Sequence, residues 1–387
     1  MKNFVFNTHT KVYFGKEKIA DLSKEVTNYG TNVLLVYGQG AIKKNGIYSE
    51  VIEVLNKCNV VEFGGITPNP RIKMVREGIR IARDNKIDVV LAVGGASVID
   101  CAKIIAAGYY YEDDPWDLVI CPGEIKIVLP IITVLTSFGT GSEMNGSAVI
   151  NNEEEEEKIG TYSPLLQPEL SILDPVYTYS LSADLTAVGI VDTMSHAMES
   201  YFSKDKDTFV QDRIAEGIIK TCIKYGPIAI KESDNYEARA NLMWAGALGL
   251  NGLIGAGKTS AWSCHPMEHE LSAFYDITHG AGMAVLITNW MRYILNDKTV
   301  DKFVEYAENV WYVFNEDDKY KKAEKAIEMT RNFFDECNMP GTLGELGIDD
   351  EKFESMAVNA VSNGLLTFAY VPLKKEDVVN IYKMCLE

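Results

Sequence analysis

Short apolar runs dominated by Val, Ile and Leu recur through the first 180 residues, each closing on glycines or polar residues before a stretch of helical period. Runs that are apolar at every position mark strands covered on both faces, and their alternation with amphipathic helices marks a parallel sheet. The pattern predicts strands over residues 32–37, 59–63, 88–93 and 131–135. They end in Gly38-Gln39-Gly40, in residues 64–70 around Asn69, in Gly94-Gly95-Ala96-Ser97, and in residues 136–142. Ligands of open α/β sheets bind beyond the carboxyl ends of the strands, so these four loops are expected to converge on one site. The acidic run Glu153 to Glu157 reads as an exposed turn. Beyond residue 180 the period is helical, over 187–201, 208–224, 236–251 and 318–337. The expected architecture is an α/β domain over residues 1–180 and an all-helical domain over 181–387.

Composition narrows the partners. A net charge of -18 repels a polyanion, and no Lys/Arg-rich run offers a local exception, so nucleic acid is excluded and a small-molecule partner is expected. No apolar run approaches the roughly 20 residues of a membrane span, and the N-terminus lacks a basic region followed by an apolar stretch. A cytoplasmic protein is expected. The seven cysteines are odd in number and contain no Cys-x-x-Cys, which predicts reduced thiols.

Two loops suit a nucleotide. Gly94-Gly95-Ala96-Ser97 joins a strand to a helix start, where glycines allow close backbone approach and exposed N–H groups attract a pyrophosphate. The loop after residue 135 adds the hydroxyls of Thr136, Ser137, Thr140 and Ser142 around Gly139 and Gly141, suited to phosphate or ribose. A third run, Gly252-x4-Gly257-Lys258-Thr259, formally matches a phosphate loop. That motif requires a preceding strand, and the residues before it are helix formers, so a glycine-rich turn between helices is expected.

Four of the five histidines form one pattern with an aspartate: Asp192-x3-His196, then His265-x3-His269, then His279. Residues four apart share a helix face, and three imidazoles with a carboxylate close most of a divalent cation's coordination sphere. The spacing leaves open which three histidines are ligands. His9 stands alone and reads as a surface or hydrogen-bonded residue.

Gly94-Gly95-x-Ser97, Thr140-Gly-Ser-Glu143, Ser171-Ile-Leu-Asp-Pro175, Asp192-x3-His196 and His265-Pro-Met-Glu-His269-x9-His279-Gly280 together resemble the iron-containing (group III) alcohol dehydrogenases, over essentially the whole chain. Residues 238–244, 251–257 and 262–279 resemble its butanol dehydrogenase branch. The resemblance implies a Rossmann-like dinucleotide-binding domain, a helical metal-binding domain of the dehydroquinate synthase-like kind, and a cleft between them. It implies Asp192, His196, His265 and His279 as metal ligands, with His269 in the cleft as a relay or substrate contact; proton relay is the role expected of it. For the cofactor it points to Gly38, Asn69, Gly94, Gly95, Ser97, Asp100, Thr136, Thr140 and Lys158, with Ser137 in the same loop. Phe138 and Ala96 depart from the family's usual residues, and Phe138 bears on the pocket near the nicotinamide. Members that prefer NADH tend to carry an acidic residue where this chain has Gln39, with Lys43 and Lys44 nearby. That favours NADPH, with NADH as the alternative.

The implied activity is reversible hydride transfer between NAD(P)H and short- to medium-chain aldehydes such as butanal. The resemblance implies Fe(II) first, while one aspartate with three histidines suits Fe(II), Zn(II) or Co(II) alike; the family suggests a homodimer. A lyase like dehydroquinate synthase is an alternative, but it expects basic residues gripping its substrate where Trp262, Pro266, Met267, Phe274 and Tyr275 suggest an apolar pocket. A hydrolase using metal-activated water is the other, and it would need no dinucleotide.

Overall fold

The computed structural model describes residues 1–259 and 262–386. In chain order the elements are β1 (Lys11–Phe14), α1 (Leu22–Val26), β2 (Asn32–Gly38), α2 (Ala41–Lys44), α3 (Ile47–Val54), β3 (Asn59–Ile66), α4 (Ile72–Asp84), β4 (Val89–Gly94), α5 (Ala96–Gly108), α6 (Pro115–Ile120), β5 (Ile131–Leu135), β6 (Ser147–Asn152), β7 (Glu157–Tyr162) and β8 (Leu170–Leu173). Helices follow: α7 (Ala183–Tyr201), α8 (Phe209–Lys231), α9 (Tyr236–Gly249), α10 (Cys264–Tyr275), α11 (His279–Ile294), α12 (Val300–Asn309), α13 (Lys319–Glu336), α14 (Phe353–Ser362) and α15 (Lys375–Met384).

The chain forms two units. One comprises Asn7–Leu181 and Ser233–Asn251, the other Met1–Phe6, Ser182–Glu232 and Gly252–Glu387. The boundary expected at residue 180 lies beside the crossing between Leu181 and Ser182, while α9 groups with the α/β unit and the first six residues with the helical one.

In the α/β unit six parallel strands are ordered β1-β8-β5-β4-β2-β3. Every residue of β4 and β5 is buried, as continuous apolar runs require when helices cover both faces. Leu22, Val26, Ile47 and Val51 pack on one face against Val33, Leu35, Val89 and Leu91. Amphipathic α4 buries Ile72, Val75, Gly78, Ile79 and Ala82, a helical stripe. Gly78 faces α5, where a Cβ would overlap the Ile105 side chain, so these helices pack at close range. The hairpin β6-β7 places the acidic run at its turn, as expected.

In the helical unit, Ser182 caps α7 by accepting a hydrogen bond from Leu185 N at 3.2 Å. α7 and α11 are buried along nearly their whole lengths and pack on each other. Gly280 makes this possible, since a Cβ there would lie 2.7 Å from the Val188 carbonyl oxygen. The phosphate-loop lookalike follows α9, so it lacks the strand that motif needs. The cysteines form no disulfide. No helix among the described residues is long and apolar enough to cross a membrane.

Candidate metal and nucleotide sites

Three helices of the helical unit bring the histidine pattern together. α7 presents Asp192 and His196 one turn apart, α10 presents His265 and His269 one turn apart, and His279 is the first residue of α11. Asp192 Oδ1 lies 3.5 Å from His279 Nε2 and 3.7 Å from His196 Nδ1. His265 Nε2 lies 3.1 Å from His196 Nε2, and the two rings stack. One donor atom each from Asp192, His265 and His279 falls within a 4.8 Å span, the size of a mononuclear site, with the His196 ring against His265.

Asp192 Oδ1 is buried and accepts no hydrogen bond. A buried carboxylate oxygen without a donor is costly unless a cation compensates it. This oxygen, facing imidazole nitrogens, fits a divalent metal.

Two carboxylates that the sequence reading missed complete the arrangement. Glu199 Oε2 pairs with His265 Nδ1, while its Oε1 accepts the backbone N–H groups of Ser263 and Cys264. Glu268 Oε2 pairs with His279 Nδ1, and its Oε1 accepts the Ser272 hydroxyl. With Nδ1–H donating to a carboxylate, each imidazole presents Nε2 as a lone pair toward the cluster. Burial opposes the charged form of His265, but the Glu199 carboxylate prevails and raises its pKa. Gly282 leaves room for Glu268, since a Cβ there would lie 2.8 Å from Glu268 Cγ. The sequence signal was a spacing, His196-x2-Glu199 and His265-x2-Glu268. Glu199→Gln keeps the size but offers one acceptor oxygen where two are used. It is expected to weaken divalent-metal binding about 10- to 100-fold, read by chelator competition; an unchanged affinity would remove this role.

His269 stands one turn beyond His265, its ring 6.3 Å from that of His265 and 5.9 Å from that of His279. It is half-buried, whereas His196 and His265 are buried. His9 lies elsewhere, its Nε2 3.2 Å from the Gln167 carbonyl oxygen.

In the α/β unit the strand order reverses between β2 and β4, the switch point where nucleotides bind in open sheets. Gly38 ends β2, Gly94 ends β4, Gly95 is the N-cap of α5, and Ser97 lies in that helix's first turn. A Cβ on Gly95 would overlap Ser137 Oγ, so the loops after β4 and β5 approach closely there. Thr136 N donates to the Gly94 carbonyl at 3.0 Å, a second tie between them. Thr140 Oγ1 accepts from Ser142 N at 3.2 Å. Asn69 adopts a left-handed φ of 51° in the loop after β3. Asn151 N donates to the Pro70 carbonyl at 2.8 Å and Lys158 sits opposite Asn151, so the hairpin brings Lys158 beside the Asn69 loop. Gln39 is exposed, and Phe138 is buried.

Asp100 also ties the neighbouring segments together. Its Oδ1 accepts the Ser142 hydroxyl at 2.6 Å and its Oδ2 accepts Val149 N at 2.9 Å. Beside it, wholly buried Lys103 donates to Ser142 Oγ at 2.8 Å, to the Asn145 carbonyl at 2.9 Å and to the Ser147 carbonyl at 2.7 Å. Burial lowers the Lys103 pKa to about 8 and raises that of neighbouring Glu143 to about 7. This buried network braces the Thr140 to Ser147 segment against α5, which makes Asp100 a support of the loop.

Comparison with known proteins finds relatives over the whole chain. Residues 9–175 match the iron-containing alcohol dehydrogenase family, and residues 186–386 match the C-terminal part of Fe-containing alcohol dehydrogenases. The chain is 51% identical over 386 residues, 99% of each protein, to NADH-dependent butanol dehydrogenase A of Clostridium acetobutylicum. It is 39% identical, over 94% of each protein, to NADPH-dependent aldehyde reductase YqhD of Escherichia coli. The crystal structure of NADH-dependent butanol dehydrogenase A from Thermotoga maritima superposes with a TM-score of 0.94 at 39% identity, covering 100% of this chain and 99% of that one.

Proposed function

This chain belongs to the iron-containing alcohol dehydrogenase family, as an NAD(P)H-dependent alcohol dehydrogenase or aldehyde reductase of the butanol dehydrogenase branch, and from that membership we propose that it interconverts butanal-sized aldehydes and their alcohols. The observation that carries this reading is Asp192 Oδ1, buried without a hydrogen bond and facing imidazole nitrogens. Asp192, His196, His265 and His279 would hold the metal, and Glu199 and Glu268 would fix the ring orientations of His265 and His279. The family points to Fe(II) first, and the donor set itself is equally compatible with Zn(II) and Co(II).

When bound, the metal would supply Lewis acidity toward the aldehyde oxygen and the dihydronicotinamide would supply the hydride. His269 delivers the proton to the product oxygen from a position open to solvent. Gly94, Gly95, Ser97, Thr136, Ser137 and Thr140, with Gly38, Asn69 and Lys158, form the nucleotide cradle. We take the active form as a cytoplasmic homodimer.

For the nucleotide, Lys43 decides our choice. Its ammonium lies 2.9 Å from Glu62 Oε2, and Glu62 also accepts from Tyr48 OH at 2.6 Å and Tyr37 OH at 2.8 Å. The hydrogen bonds of Tyr48 and Lys43 hold the Glu62 pKa at about 2, so over the working pH range this lysine already has an ionised carboxylate partner. It is therefore a poor partner for a 2′-phosphate, and NADH takes precedence over the NADPH that Gln39 alone favoured. Lys44 remains as a cation near the loop and is compatible with some NADPH use. After reconstitution with defined metal, initial rates across C2 to C8 aldehydes are expected to peak near C4, with kcat/KM higher for NADH. Absence of turnover with both nucleotides in protein carrying stoichiometric Fe(II) would overturn the assignment.

A further inference from the structure

The phosphate-loop lookalike lacks the strand before it, yet its lysine is almost completely enclosed. The Lys258 side chain is 1% exposed, and its ammonium donates to the Ser200 carbonyl at 2.8 Å and to Asp212 Oδ1 at 2.5 Å. The Ser200 carbonyl is among the last of α7, where carbonyls lack a helical partner. The tie is reciprocal: Ser200 Oγ donates to the Ile254 carbonyl at 2.9 Å. Further bonds reach the same turn. Gln211 Nε2 donates to the Ala256 carbonyl at 2.7 Å, and Lys2 N donates to the Gly257 carbonyl at 2.8 Å. Asp212 is itself held by Lys302 Nζ at 2.6 Å from its Oδ2.

These bonds have a specific place in the fold. Ser200 immediately follows Glu199 and lies one turn beyond His196, so the turn is fastened to the end of α7 that carries both. Downstream, the chain passes through residues 260–261, outside the described residues, into α10 with His265. The turn thus joins the two helices whose imidazoles meet at 3.1 Å.

We propose that Lys258 is a positioning residue for the metal centre: by locking the 252–259 turn to the end of α7 and to Asp212 of α8, it sets the spacing between the ligand-bearing helices α7 and α10. The inference rests on the metal-site reading above. A buried ion pair adds little to net stability when weighed against desolvation, and its best-attested use is to fix register. The glycines fit this role. Gly257 has φ 74°, and a Cβ there would lie 2.7 Å from Met1 Cγ.

The test uses the full chain loaded with Co(II), following metal loss to a chelator and the cobalt ligand-field absorption. Lys258→Met is expected to release cobalt about tenfold faster, the low end for groups that act through a ligand, and to alter the absorption band. Lys258→Arg should restore part of both. Loss of thermal stability with wild-type release and an unchanged band would overturn the proposal, because it would make Lys258 a purely structural residue. Should Lys258→Met fail to fold, Ser200→Ala removes the Ile254 bond alone. It should still shift the band, and an unchanged band there would also overturn the clamp. Wild-type protein separates the two readings: if it binds no cobalt, the metal site fails and the clamp with it, whereas if it binds one equivalent, lost in Asp192→Ala, only the clamp is at issue.

Discussion

Asp192→Ala is expected to yield a folded protein that retains no divalent metal and reduces butanal at least about 10³-fold more slowly. The rate estimate follows from Lewis-acid stabilisation worth several kcal/mol, at about 1.4 kcal/mol per tenfold. Asp192 supplies the only carboxylate of the proposed ligand set, and the carboxylates beside it, Glu199 and Glu268, are committed to His265 and His279. Without it, three neutral imidazoles would have to compensate a buried dication. The stability change should run the other way in the metal-free protein. Asp192 Oδ1 is buried without a hydrogen bond, so its removal relieves a desolvated charge, and the metal-free variant is expected to melt no lower than metal-free wild type. A ligand that also stabilises the holo fold shows the opposite order once metal is added. Metal content after dialysis, melting with and without metal, and turnover test the three expectations together. Full metal stoichiometry in the variant would sink the ligand assignment.

The proposed metal site was legible in the sequence because histidines are rare here and fall at helical spacings. Glu199 and Glu268 were hidden for the opposite reason, being two carboxylates among 55 acidic residues. Their spacing also misleads. Glu199 is three residues from His196 but serves His265, and Glu268 is three residues from His265 but serves His279, a crossing of partners that only the packing of α7, α10 and α11 creates. The sheet shows the same division. β2, β4 and β5 announce themselves as unbroken apolar runs, whereas β1 and β8 are four residues each and become strands through pairing with partners distant in sequence, β8 with β5 and β1, and β1 with β8. The helical period of α9 was plain, but its association with the α/β unit depends on contacts such as the edge-to-face pair Phe14 and Trp244, distant in sequence. Asp100 adds contacts that the motif does not announce, its carboxylate accepting from the Ser142 hydroxyl and from Val149 N.

His269→Ala is expected to lower kcat by about 10²-fold, the lower end for a positioned general acid, while metal content and NADH affinity stay at wild-type levels. The argument begins with helix geometry: four residues after His265, His269 shares its face of α10 and reaches the neighbourhood of the metal cluster. Its ring is nevertheless outside the 4.8 Å span that joins Asp192, His265 and His279, and it is more exposed than His196 or His265. Those differences suit a relay, which must exchange protons with water, better than a ligand, which must exclude it. Glu268 and His279 also lie close to His269, so a supporting contact to the ligand His279 is the competing role. The two roles predict different losses. A support removed would weaken metal binding, whereas a relay removed would slow proton delivery, erase the limb of the kcat pH profile that the imidazole carries, and respond to added imidazole. Unchanged turnover and pH dependence with metal bound would exclude the relay.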